Sequence, residues 1–214
     1  MNETAGPGAG PLIIYGAGGH GQVVADAAAE GGWRVLGFVD DDPPGNSRGG
    51  HSGAGDWPHL DKSALQDRRN LIIVAIGDNA QRHRIAAHLA DAGCNLANVI
   101  HPSASVSTRA ALGRGVFIGP RAVVNAGATI GDGCIINSGA IVEHHCRIGN
   151  FAHIAPGAVL GGAAQIGALT LVGLSATVLP VVRIGAHCII GAGAAVIDDV
   201  GDDHTMVGVP ARPL

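Results

Sequence analysis

Two folds in series are predicted: a small α/β unit built on a parallel sheet, then an all-β solenoid of short parallel strands. Three observations carry this. Between residues 11 and 98, short apolar runs alternate with amphipathic stretches, the pattern of strands covered by helices on both faces. From Ile100 to Val196 every sixth residue is Ile, Val or Leu, seventeen positions in a row, and a fixed short period of this kind signals stacked repeats. The composition also changes character near Val99. The expected division is a mobile tail over 1–10, an α/β unit over 11–98, a solenoid over 99–201 and a C-terminal tail over 202–214.

In chain order, MNETAGPGAG lacks the basic flank and apolar run of a signal peptide, so a cytoplasmic protein is expected. PLIIYG, GQVVADAAAEGG and RVLGFVDDD then read as strand, helix and strand, the helix ended by Gly31 and Gly32. DDPPGNSRGGHSGAGDWPHLDK follows as a Gly- and Pro-rich loop region. NLIIVAIGDN repeats the strand signature and QRHRIAAHLADAG supplies a second helix.

Gly16, Gly18 and Gly21 form G-x-G-x-x-G between a strand and a helix, with Asp40 near the end of the next strand. Backbone N–H groups at a helix N-terminus approach a phosphate, and a strand-end carboxylate accepts from a hydroxyl. Fewer than 90 residues are too few for the six-stranded sheet of a full dinucleotide site, so a mononucleotide or nucleotide sugar fits better than NAD. A purely packing role for the glycines is the competing reading.

In the solenoid, the residue two before each aliphatic is small: Ala122, Ala128, Cys134, Ala140, Cys146, Ala152, Ala158, Ala164, Thr170, Ala176, Cys188 and Ala194. One bulky and one small inward residue per hexad suit a narrow triangular prism. Gly or Asn usually follows the aliphatic, and a corner with positive φ would explain that choice. Eighteen residues make one coil. Cys134 and Cys188 then lie three coils apart, roughly 14 Å at ~4.8 Å per strand, too far for a disulfide. The cysteines are read as inward packing residues, Cys146 included.

One corner breaks the pattern. After Val142 come Glu143, His144 and His145. One coil away from His144 lie Ala126 and Gly162, both small, so this imidazole has room for a substrate. His153 precedes Ile154 and should project outward. His51, His59, His83, His88, His187 and His204 are read as ordinary surface residues.

The formal charge of −4 and 3% aromatic content give no reason to expect nucleic acid. Apolar runs stop well short of the roughly 18 residues a membrane helix needs.

The hexads resemble the left-handed parallel β-helix of bacterial hexapeptide acyltransferases. YGAGGHG, FVDDD, IGDN, NSGAIVEHHCRIGNFAHIAPGAVLGG, VLP at 178–180 and VGVPAR are together similar to the sugar acetyltransferases of the PglD and NeuD type, over nearly the whole chain after residue 10. That resemblance implies a Rossmann-like nucleotide-sugar domain joined to a left-handed β-helix. It implies a homotrimer with acetyl-CoA between neighbouring helices, and N-acetylation of the 4-amino group of a UDP- or GDP-linked sugar. By it His144 is the general base and His153 contacts the thioester cofactor, with Gly162, Leu174 and Ala192 lining the coenzyme cleft. Gly18, Gly19, His20, Asp40, Asp41 and Gly77 hold the nucleotide, and Asn137 lies near the sugar. In this family the residue after the base is often Glu, which orients the imidazole. Here it is His145, which has no negative charge to offer, so either Glu143 takes that part or the base is less basic. Zinc on histidines, as in γ-class carbonic anhydrases, requires a spacing that 144, 145 and 153 do not supply, so no metal is expected. O-acetylation of the sialic acid type, and a non-catalytic nucleotide-sugar sensor, are the rival readings.

Overall fold

The computed structural model describes residues 10–41 and 57–214. The tail expected over 1–10, apart from Gly10, lies outside these, as do most of the Gly- and Pro-rich loop and His51. The chain forms two compact units, Met1–Pro102 and Ser103–Leu214.

In the first unit, β1 (Pro11–Tyr15), α1 (Gly19–Glu30), β2 (Arg34–Val39), β3 (Leu71–Val74), α2 (Asn79–Asp91) and β4 (Asn95–Leu96) follow one another. All strands are parallel, in the order β2-β1-β3-β4. Leu12, Ile13, Ile14, Phe38, Ile72 and Ile73 are buried at the centre, which is why these segments read as unbroken apolar runs. The link from β1 leads to β2 on one side and the link from β3 leads to β4 on the other. Right-handed crossovers therefore set α1 and α2 on opposite faces. The winding reverses between β1 and β3, and in open parallel sheets the carboxyl ends at such a point are where ligands bind. Gly31 caps α1 and Gly32 follows at φ 83°. Asp78 caps α2 by accepting from Gln81 N at 2.7 Å. A short 3-10 turn at Lys62–Gln66 was not evident from the sequence.

The second unit is a parallel β-solenoid of about six coils, its three faces built from two-residue strands. Neighbouring strands on a face are one 18-residue coil apart without slippage: Ile130 pairs with Ile148, Ile148 with Ile166 and Ile166 with Ile184. The hexad aliphatics from Ile118 to Val196 are buried, as are the small residues two before them. The four cysteines are free. In the small inward slot each thiol caps a main-chain oxygen: Cys134 donates to Gly149 O, Cys146 to Gly161 O and Cys188 to Gly201 O, at 3.1, 3.2 and 3.0 Å. Thr170 occupies the same slot and donates to Gly185 O at 2.7 Å.

The corners correct one expectation. The glycine after the aliphatic does not take positive φ; that conformation falls two residues later, at Arg121, His145, Phe151, Ala163, Leu169, Ser175, Val181 and His187. Where glycine follows the aliphatic, stacked corners approach closely. A β-carbon at Gly161 would stand 2.5 Å from Pro180 N, and one at Gly149 would stand 2.5 Å from Ala168 N.

Candidate functional site

At the mouth of the small sheet the glycines divide by task. Gly16 has φ 114° and a β-carbon there would lie 2.8 Å from Ala75 O, while one at Gly21 would collide with Gly16 O. These two are fixed by the packing of helix on strand. Gly18, Gly19 and Gly77 are different, because a β-carbon on any of them would meet nothing within 4 Å. Gly18 is the N-cap of α1 and has no side chain to bond the first-turn N–H groups, so that helix end presents donors to an anion. His20 lies in the same first turn, half-buried.

The adjacent carboxylates face different partners. Asp40 accepts from Ala17 N at 2.6 Å and so borders the glycine loop. Asp41 accepts from Lys62 Nζ at 2.6 Å and from the Tyr15 hydroxyl at 2.7 Å. These bonds, Lys62 first, hold the Asp41 carboxyl below its ordinary value, whereas burial and then Asp41 push the Tyr15 phenol up. A cavity of about 560 Å³ adjoins them, lined by Tyr15, Asp41, Lys62, Arg84, Ile85 and His88 among others. Buried Arg82 ties down the turn after β3, donating to Ile76 O at 2.9 Å and Asn79 Oδ1 at 2.7 Å.

In the solenoid, Glu143, His144 and His145 occupy one corner, between the strands Ile141–Val142 and Arg147–Ile148. Both imidazoles are exposed. The ring of His144 fills the notch left by Gly162 on the next coil, where a β-carbon would come within 2.6 Å of its Cε1 and Nε2. The ring of His145 does the same over Gly127 on the preceding coil, at 2.9 Å from Cδ2. The two Nδ1 atoms are 3.1 Å apart, the rings edge to face at 79°. Glu143 does not orient either ring, since its Oε2 accepts from His144 N at 3.2 Å. Cys146 points into the prism and burial pushes its thiol up, which leaves it inert.

A second cluster lies on another corner and its adjoining face. Asn137 Nδ2 meets His153 Nε2 at 3.0 Å, and Asn137 Oδ1 accepts from Ser138 N at 2.8 Å. An amide nitrogen only donates, so His153 carries its proton on Nδ1. Leu174 and Ala192, both exposed, stack on that corner at coil intervals above Ser138. Gly162 does not join them, because it belongs to the corner of His144. One chain therefore does not bring His144 together with Asn137 and His153. The partners Tyr15, Lys62 and Gly127 were missed from the sequence; counting back one coil from His145 would have found Gly127.

The model of the PglD N-terminal domain matches residues 11–89, and that of the bacterial transferase hexapeptide (six repeats) matches 109–144 and 127–162. Among curated proteins, UDP-N-acetylbacillosamine N-acetyltransferase of Bacillus subtilis (strain 168) is 37% identical over 112 residues; the match spans 50% of this chain and 50% of that protein. Among solved structures, a histidine variant of perosamine N-acetyltransferase from Caulobacter crescentus, in complex with CoA and GDP-perosamine, is 38% identical. It covers 95% of this chain and 96% of that one at a TM-score of 0.86. The acetyltransferase domain of PglB from Neisseria gonorrhoeae, in complex with acetyl coenzyme A, is 37% identical and covers 95% and 98% at 0.86. The solenoid matches a left-handed β-helix across this likeness.

Proposed function

Because the chain belongs to the hexapeptide-repeat sugar-nucleotide acetyltransferases with a PglD-type N-terminal domain, we propose that it moves the acetyl group of acetyl-CoA onto the 4-amino group of a nucleotide-linked sugar, with His144 as general base. The observation that carries this reading is the exposed His144 ring, held over Gly162 with no bulky neighbour on the stacked corners.

The chemistry asks little else of the protein. His144 Nε2 takes a proton from the amine as nitrogen attacks the acetyl carbon, a contribution of roughly 10² to 10⁴ in rate. A backbone N–H of the solenoid wall stabilises the oxyanion, and the C–S bond breaks to release CoA thiolate. No covalent enzyme intermediate forms. Gly18, Gly19, His20, Asp40, Asp41 and Gly77 bind the nucleotide. His153, Gly162, Leu174 and Ala192 line the coenzyme cleft, and Asn137 borders the sugar while holding His153.

A homotrimer completes the site. The His144 corner and the Asn137–His153 cluster lie on different edges of the prism, and the face between them presents Val123, Ile141 and Val159 outward. Packing that face against another copy buries the aliphatic row and sets one edge of each chain beside the other edge of its neighbour. No helix among the described residues is long and apolar enough to cross a membrane, and we assign the reaction to the cytoplasm, where acetyl-CoA is made.

The test is to offer UDP- and GDP-linked 4-amino sugars with acetyl-CoA and follow free thiol. Release with one of them, lost in His144→Ala, supports the reading. Equal release with the 4-hydroxy sugar would point to O-acetylation, and no release with any sugar to a sensor. Light scattering at the mass of three chains would support the trimer.

A further inference from the structure

We propose that His145 is the positioning residue for His144: its Nδ1 accepts the Nδ1–H of His144 and thereby fixes the tautomer whose Nε2 is bare. This rests on His144 being the base.

Two ring nitrogens 3.1 Å apart hold one proton between them, because two lone pairs or two N–H groups would repel. With the proton on His144, its Nε2 has a lone pair and accepts from the amine. With the proton on His145, the Nε2 of His144 already carries hydrogen and no base faces the substrate. Only the first arrangement performs the reaction. The rings lie in the glycine notches at 162 and 127, on opposite sides along the prism. The Glu143 carboxylate accepts from the His144 backbone N–H rather than from either ring.

The consequence is a base backed by a neutral acceptor. When His144 gains the substrate proton, the imidazolium is stabilised by a dipole rather than by a carboxylate. The stacked corners at 125–127 and 161–163 read Asn-Ala-Gly and Gly-Gly-Ala and carry no ionisable side chain. Glu143 meets the pair at the backbone, through His144 N.

Asparagine and aspartate place an oxygen where histidine has Nδ1, and both tolerate the left-handed backbone of position 145 (φ 60°). That gives a graded series. Long-range 1H–15N correlation on the intact free protein should find His144 protonated at Nδ1 in the parent, in His145→Asn and in His145→Asp. In His145→Ala, with no acceptor, the ring should revert to the Nε2–H form. In steady-state kinetics His145→Ala should lose roughly tenfold to hundredfold in kcat, the scale for removing a histidine's orienting partner, with KM nearly unchanged. His145→Asn should recover most of that loss. His145→Asp should move the acidic limb of the rate profile to higher pH by about one unit. An Nε2–H tautomer for His144 in the parent protein, or an Asn variant as impaired as Ala, overturns the proposal. The assignment of His144 as base is tested separately, by thiol release in His144→Ala.

Discussion

The glycine loop of the small sheet and the glycine corners of the solenoid use one residue type in opposite ways. In the loop, Gly16 and Gly21 are demanded by packing and Gly18, Gly19 and Gly77 are not. The glycines that the fold of the loop does not need are the ones that face open space, and these are the ones proposed to meet the nucleotide. In the solenoid, most corner glycines after the aliphatic are demanded by the backbone of the next coil, so their presence carries no functional information. Gly162 and Gly127, further along their corners, differ, for the atoms in their notches belong to imidazoles instead. A glycine thus becomes informative through what occupies the space of its missing side chain.

The largest test of this contrast is His144→Ala, expected to cost roughly 10² to 10⁴ in kcat while thermal unfolding stays as in the parent. A melting curve displaced along with the activity would mean that the corner is structural and that the two regions do not differ as described. Next is the pair Gly161→Ala and Gly162→Ala. The first forces a β-carbon onto the Pro180 backbone and should lower the melting temperature by several degrees, since a packed interior has no slack to absorb it. The second displaces only the His144 ring, so it should melt normally yet lose about tenfold or more in kcat, because catalysis depends on close placement. Reversal of that pattern would break the comparison.

In the small sheet, Gly21→Ala should destabilise the first unit, as its β-carbon meets Gly16 O. Gly18→Ala should fold normally and raise KM for the sugar nucleotide by about tenfold, the loss of one good contact; an unchanged KM would return Gly18 to a packing role. Smallest is Lys62→Met. The lowered Asp41 pKa contributes stability that is present above the unfolded carboxylate value and lost as pH falls through the folded one. The substitution should therefore matter little near neutrality, by no more than about 2 °C. Its effect should vanish in a melt carried out below the carboxylate range, and an effect that grew with acidity would contradict the sign.

The strands of the solenoid were legible because side-chain direction alternates along a strand and the aliphatic position never slips from its six-residue step. The meaning of the corner glycines was misread. Freedom at φ and absence of a β-carbon are the same letter in a sequence, and only coordinates separate them. The seat of His144 over Gly162 followed from counting one coil. The ring contact with His145 did not, because neighbours in an extended chain point apart and the left-handed turn at 145 breaks that rule. Asp40 and Asp41 were grouped in one site from the sequence, and the structure gives each its own hydrogen-bond partners.

The coil length has an evolutionary corollary. Since chemical neighbours in the solenoid sit eighteen positions apart, deleting one residue between 145 and 161 would dephase every later layer against every earlier one and empty the notch beneath the imidazole. Insertions that survive in this part of the chain should therefore arrive as entire windings or as outgrowths at a corner. Change in the α/β unit has no such quantum.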